Sequence, residues 1–239
     1  MTSSTDWVLT RSWRIVIGAV SALALLVMLL PLSVALPLVA PINSGLSASK
    51  ATGNIWEGKL YDAHVAGMAL GDTRVGLWPL PLLTGEAQLG FSTPTLRGTI
   101  IANNGGYGIA RGNGPIDIAA RVKPLPLSQI ILDDASVRFR GDNCSSAQGR
   151  VRAVVAGDIG GLALPGGMSG TLRCDGSALL VPLLGQSGME RLDLRVTGDG
   201  KWRAELSIRS TDPVVTAKLL GAGFMPGPGG FSIRLSGAL

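Results

Sequence analysis

The sequence predicts an all-β protein: a single transmembrane helix followed by a mainly antiparallel β-sheet domain with one short helix near the C-terminus. Three observations lead there. Ile15 to Pro37 is an almost wholly apolar run with no charged residue. Beyond it, short segments alternate apolar with polar residues, as in Trp202-Arg203-Ala204-Glu205-Leu206-Ser207-Ile208-Arg209 and Phe231-Ser232-Ile233-Arg234-Leu235-Ser236. Between these segments stand Gly, Pro, Asn and Asp, the residues of tight turns.

A helix rises about 1.5 Å per residue and a bilayer core is about 30 Å thick, so roughly 20 apolar residues suffice to cross. The Ile15–Pro37 run is long enough. Arg11 and Arg14 stand just before it and the next cation is Lys50. The positive-inside bias therefore puts the N-terminus in the cytoplasm and the chain beyond Pro41 outside. Trp7 and Trp13 flank the basic pair, either as headgroup-zone anchors or as incidental tail residues. A cleaved signal peptide is the competing reading, since Ser33-Val34-Ala35 loosely matches a small-x-small site, but the run exceeds an h-region of about 7–15 residues. The expected organisation is a cytoplasmic tail (1–14), an anchor (15–37), a linker (38–50) and a β-rich exported domain (51–239). A chain of 239 residues leaves one domain's worth beyond the anchor, enough to bury a core.

Within that domain, period-two segments mark half-buried strands at Leu60–Val65, Thr73–Trp78, Glu86–Phe91, Leu96–Ile101, Ser136–Arg140, Gly149–Val155 and Leu192–Val196, besides the two quoted above. Their close spacing suits hairpins, because parallel crossovers need a dozen or more residues. Asn103-Asn104-Gly105-Gly106, Gly141-Asp142-Asn143 and Thr197-Gly198-Asp199-Gly200 supply residues that tolerate positive φ, so hairpins are expected at each. Asp212-Pro213 followed by Val214 to Gly221 has an N-cap candidate, a proline at the first helical position and a terminal glycine, which predicts a short helix. Leu125–Leu132 reads equally well as a second helix or a buried connection.

Composition excludes more than it identifies. The formal net charge is +5, with the cations scattered rather than massed, and aromatics make up 5% of the chain. Without a basic block or interleaved aromatics, nucleic-acid binding has little support. The 34 glycines point to many turns. Cys144 and Cys174 are the two cysteines, and both fall on the side predicted to be outside, where disulfides form. A bridge would close a loop of about 30 residues and stabilise the fold by about 3.5 kcal/mol on the chain-entropy estimate. Two buried thiols or a redox pair are the alternatives, though there is no C-x-x-C and neither cysteine has His or Lys nearby.

No catalytic constellation is visible. His64 is the only histidine, with Asp62 two residues before it on one face of a predicted strand, and a surface histidine is the simpler reading. Asp133-Asp134 suits a turn or cap better than a carboxylate pair, since adjacent residues point apart. The stretch Gly105 to Gly114 superficially resembles a phosphate loop, but Pro115 and an alternating segment follow it instead of a helix. With two cysteines and one distant histidine, zinc lacks ligands, and neither metal nor cofactor is expected. The run Leu77-Trp78-Pro79-Leu80-Pro81-Leu82-Leu83 lacks alternation. Trp78, Leu80, Leu82 and Leu83 form either an exposed contact surface for a partner or the bilayer, or a buried edge crossing into the core.

Several ordered motifs carry a family resemblance. Thr52-Gly53-Asn54-Ile55-Trp56-Glu57-Gly58, then Val75 to Gly85, then Cys144 with Ser145 to Val151, then Leu164 to Leu183 around Cys174, then Gly198 to Ala204, and the closing Gly223-Phe224 with Gly229 to Gly237, together resemble protein N of bacterial type II secretion systems. Each motif alone is turn-plus-strand chemistry, so the specificity lies in their order. The resemblance implies a non-enzymatic, single-pass inner-membrane protein with a periplasmic β domain. Its implied partners are the other inner-membrane components of the secretion platform and the secretin. The T-G-x-I-W-x-G opening is also similar to AsmA-like proteins, whose elongated, curved sheets hold an apolar groove. That likeness implies a curved sheet here and, as an alternative function, a membrane-tethered lipid-handling module.

Overall fold

A computed structural model of the protein describes residues 5–34, 46–65, 68–119, 127–155, 158–159, 162–163 and 167–238. The chain divides into two compact units, Met1–Leu77 and Trp78–Leu239.

The first unit opens with helix α1 (Thr5–Met28). Trp13, Ile15, Val20, Leu25, Leu26 and Met28 are all exposed, so no single face of α1 is reserved for a protein core. The helix stops nine residues short of Pro37. Pro31 explains the stop, because it lacks the N–H a continuing helix needs and disfavours helical backbone at the residue before it. Pro31 instead forms an isolated bridge with Asn54, Leu30 O accepts from Ile55 N–H (3.2 Å), and Leu32 is buried with Leu60 and Ala63. The apolar run thus splits into an exposed helix and a segment that joins a small core. Among the described residues no helix is long and apolar enough to cross a membrane; Ala35 to Pro37, the end of the expected span, lie outside them.

That core sits on strand β3 (Gly58–Val65), which pairs antiparallel with β1 (Leu46–Ser47), β2 (Lys50–Gly53) and β4 (Met68–Leu77). The Thr52–Gly58 motif makes the β2–β3 turn. Gly53 takes φ +85°, and the Asn54 Oδ1 accepts from the backbone N–H of Trp56 (3.1 Å) and Glu57 (2.7 Å).

The second unit begins with a one-turn helix, α2 (Pro79–Leu82), and continues with β5 (Glu86–Ser92), β6 (Arg97–Asn103), β7 (Gly106–Asp117), β8 (Leu127–Arg140) and β9 (Asn143–Val155). A separate two-strand hairpin, β10 (Asp158–Ile159) and β11 (Leu162–Ala163), precedes β12 (Met168–Thr171), β13 (Arg173–Asp175), β14 (Ala178–Gly185), β15 (Glu190–Val196) and β16 (Lys201–Ile208). Helix α3 (Pro213–Gly221), β17 (Met225–Gly227) and β18 (Gly230–Ala238) finish the unit. The strand order is β5-β6-β7-β8-β9-β12-β14-β15-β16-β18-β17, with β13 paired to β14. Every pairing whose register is described is antiparallel, as the short connections predict.

Alternation decides what faces in. On β16, Trp202, Ala204, Leu206 and Ile208 are buried while Lys201 and Arg203 are exposed. Inner residues of β8 and β9 (Val137, Val151, Ala153) join those of β14 to β16 (Leu183, Leu192, Leu194) in one core, which α3 closes with Leu219. Strand β14 is less legible. Leu180, Val181 and Leu183 are all buried, and a strand covered on both faces shows no alternation. Pro182 is tolerated inside it because β12 pairs only with Leu184 and Gly185, and β13 only with Ala178 to Leu180, which leaves Pro182 opposite the break.

The predicted helix after Asp212 is α3. The Asp212 Oδ1 accepts from Val214 N–H (2.7 Å) and Pro213 occupies the first turn. Leu127 to Leu132 begin β8 rather than a helix; Leu125 and Pro126 lie outside the described residues.

Candidate functional site

The Trp78–Leu83 segment folds as a tight knuckle. Pro79 and Pro81 fix backbone angles suited to a single turn, which closes through Leu83 N–H to Leu80 O (3.1 Å) and Thr84 N–H to Pro81 O (3.0 Å). Trp78 N–H donates to Gln88 O on β5 (2.9 Å), fastening the knuckle to the sheet. Helix α2 buries none of its residues. Trp78 is 53% exposed, Leu80 73%, Leu82 38% and Leu83 84%. These four side chains are exposed on an ordered turn rather than buried in an edge crossing.

Cys144 on β9 and Cys174 on β13 are joined in a disulfide with Cα atoms 5.6 Å apart. Cys144 N–H also donates to Ser177 O (2.8 Å), so a covalent bond and a hydrogen bond fix the same corner. Both lie in the second unit, where the bridge ties the β8–β9 hairpin to β13.

The remaining sequence candidates resolve into structure. His64 Nδ1–H donates to the Asp62 backbone carbonyl (3.0 Å), not to its carboxylate. Asp62 has φ +52° in a bulge of β3, which breaks the alternation that would have put the two side chains on one face. Asp133 and Asp134 have separate partners. Asp133 pairs with Arg150 (2.7 Å), whereas Asp134 sits at φ +51° and its N–H donates to Asn113 Oδ1 (3.1 Å). The glycines from Gly106 to Gly114 belong to β7, and among the described residues no helix follows them directly. Among the described residues no group of His, Cys, Asp or Glu gathers to hold a metal.

One cluster escaped sequence reasoning. Tyr107 on β7 stacks on Phe139 (5.7 Å between centroids), and its hydroxyl donates to Gly198 O (2.6 Å) in the β15–β16 turn. Gly198 N–H donates to Asp142 O in the β8–β9 turn (3.0 Å). Burial, then the carboxylates of Asp142 and Asp199, push the Tyr107 phenol upward. Asp199 is held down to about 2 by the Lys201 ammonium, the Thr197 hydroxyl and the Lys201 backbone N–H. The contact joins residues 91 positions apart, so no local pattern signals it. It shows the sheet of the second unit curling until the ends of β7–β9 meet the β15–β16 turn.

Outward-facing charges on that sheet are mostly paired, Arg191 with Asp193 (3.0 Å), Arg195 with Asp175 (2.9 Å) and Arg234 with Glu205 (3.1 Å). A concavity of about 770 Å³ lies over this face, lined by Glu205, Ser207, Ser232, Ile233 and Arg234 together with Gly223 and the Met225–Gly230 segment.

The family model for type II secretion system (T2SS) protein N matches residues 44–234. Neither a curated protein nor a solved structure matches the chain. The matched range takes in β1 to β4, the α2 knuckle, the disulfide and the strands through most of β18. That span covers well over half of the chain, and the protein belongs to the type II secretion system protein N family.

Proposed function

We propose that the protein is a membrane-tethered, non-enzymatic component of the type II secretion platform that acts by holding its β units in place against partner proteins. Membership of the protein N family is the observation that carries this reading; that family is a structural component of the secretion machinery, associated with the envelope and with other secretion components. In this reading the apolar run from Ile15 is the inner-membrane anchor, the N-terminus is cytoplasmic, and the β-rich chain from residue 51 is periplasmic. Support comes from α1, whose apolar side chains are exposed around the helix and follow Arg11 and Arg14. The cystine at Cys144–Cys174 suits an oxidising compartment.

The Trp78, Leu80, Leu82 and Leu83 patch is the contact surface in this proposal, with other platform components or the secretin as its partners. Deleting the gene should lower export of secreted enzymes, and a photo-crosslinker at Leu83 should capture a secretion component in intact cells. Unchanged secretion with no crosslinked component would remove the reading. The lipid-handling alternative needs an open apolar concavity. In the second unit Leu183, Leu192, Ile208 and Leu219 are covered by the protein itself, so no observation there favours it.

A further inference from the structure

The last strand of the sheet is only partly covered. Strand β17 pairs with β18 at Met225↔Ser232, Pro226↔Phe231 and Gly227↔Gly230, and goes no further. Pro226 has no N–H, so the hydrogen-bonded pairs are the ones beside it, which turns the backbone groups of Ser232 toward β17. Alternation then directs the N–H and C=O of Arg234, Ser236 and Ala238 to the same edge. Among the described residues no strand pairs with that edge past Ser232. Two of the usual protections of an edge are missing there: Ile233 to Ala238 contain no proline, and the β16–β18 register runs from Lys201↔Ala238 to Ile208↔Phe231 without a bulge; Arg234 is the one charged residue in that stretch, and it is paired with Glu205.

Charge on the outer face says what fits. Arg195 and Arg203 stand directly opposite each other on β15 and β16, an arrangement that is destabilising unless compensated. Arg195 has Asp175, but among the described residues Arg203 forms no salt bridge. Arg203 is opposite Ser236 on β18, a small residue. A strand added beyond β18 would lie two spacings of about 4.8 Å from β16. An acidic side chain opposite Ser236 and the long Arg203 side chain would span that distance together. On the inner face, the Trp202 indole is 2% exposed, lies against Gly237, and has an N–H without a partner among the described residues.

We infer that the Ile233–Ala238 edge of β18 receives an extended protein segment that adds one antiparallel strand, with apolar side chains toward Leu235 and Trp202 and an acidic side chain that pairs with Arg203. A second copy of the chain suits the edge less well. Antiparallel self-pairing of β18 that places Ser236 against Ser236 brings no carboxylate to Arg203. This surface is separate from the α2 patch and does not depend on it.

The test uses the full chain in mild detergent and a synthetic peptide, Thr-Val-Glu-Val-Glu-Val-Thr. Binding should be saturable and weakened by salt, lost when alternate peptide nitrogens are methylated, and weakened about tenfold by Arg203→Glu, which should instead favour a peptide with Lys in place of Glu. Ser236→Pro removes one outward N–H without touching a β16 hydrogen bond and should abolish binding while the denaturation midpoint stays that of the unmodified chain. No binding, binding indifferent to N-methylation or to Arg203→Glu, or a concentration-dependent dimer dispersed by Ser236→Pro would each overturn the inference.

Discussion

Helices α2 and α3 start alike, with a proline in the first turn and leucines following, yet they end in opposite surroundings. Helix α3 has nine residues, a side-chain cap from Asp212, and Leu219 fully buried with Val215 packed one turn earlier. Helix α2 has four residues, no side-chain cap, and apolar side chains in solvent. The difference is length and capping rather than composition. An apolar stripe needs positions three and four apart over more than one turn. A single turn pinned by Pro79 and Pro81 splays its leucines instead. Apolar residues at α3 therefore stabilise the fold, while the same residue type at α2 stays exposed.

Four variants and one titration break or sharpen that contrast. Leu219→Ala should cost about 3 kcal/mol in chemical denaturation, because the cavity forms in a covered site. Cys174→Ser should cost a similar amount in the same measurement, about 2–4 kcal/mol, since the disulfide restrains the unfolded unit that carries both helices. Asp212→Ala should cost about 1 kcal/mol by leaving Val214 N–H without its cap, and α2 has no equivalent residue to remove. Leu80→Ser with Leu83→Ser should shift stability by less than about 0.5 kcal/mol yet abolish crosslinking to secretion partners; a large stability loss would mean the patch is structural after all. The smallest effect is acidic. The Asp199 carboxyl is depressed from an ordinary 3.8 to about 2, so its contribution is complete above the ordinary value and is lost as the pH falls through about 2. Amide exchange in the Thr197–Gly200 turn should rise over that interval, before exchange in α3 does.

Legibility in the sequence followed burial. Strands with one wet face, β16 and β18, announce themselves by alternation, and α3 announces itself through Asp212-Pro213. The Asn104-Gly105 and Gly141-Asp142 loops mark their hairpins because those residue types accept positive φ. Strand β14 was hidden, since Leu180 and Leu183 face opposite ways and both are covered. The bulges at Asp62 and Asp134 were hidden too, because aspartates at positive φ are permitted rather than signalled by their identity. The bulge at Asp62 separated it from His64, a pair that a regular strand would have put on one face.

The sequence by itself determined the antiparallel β class, the capped helix, the two cysteines available to bridge, and the ordered motifs of the protein N family. Local chemistry sets all of these, through period-two alternation, turn residues and capping. Only the tertiary structure decided that the apolar run breaks at Pro31 and sends Leu32 into a core, that Trp78 to Leu83 lie open, and that Arg203 stands opposite Arg195, one strand in from an edge that no described strand covers past Ser232. Those outcomes depend on register and on which surfaces cover one another, and both are fixed by contacts between residues far apart in the chain.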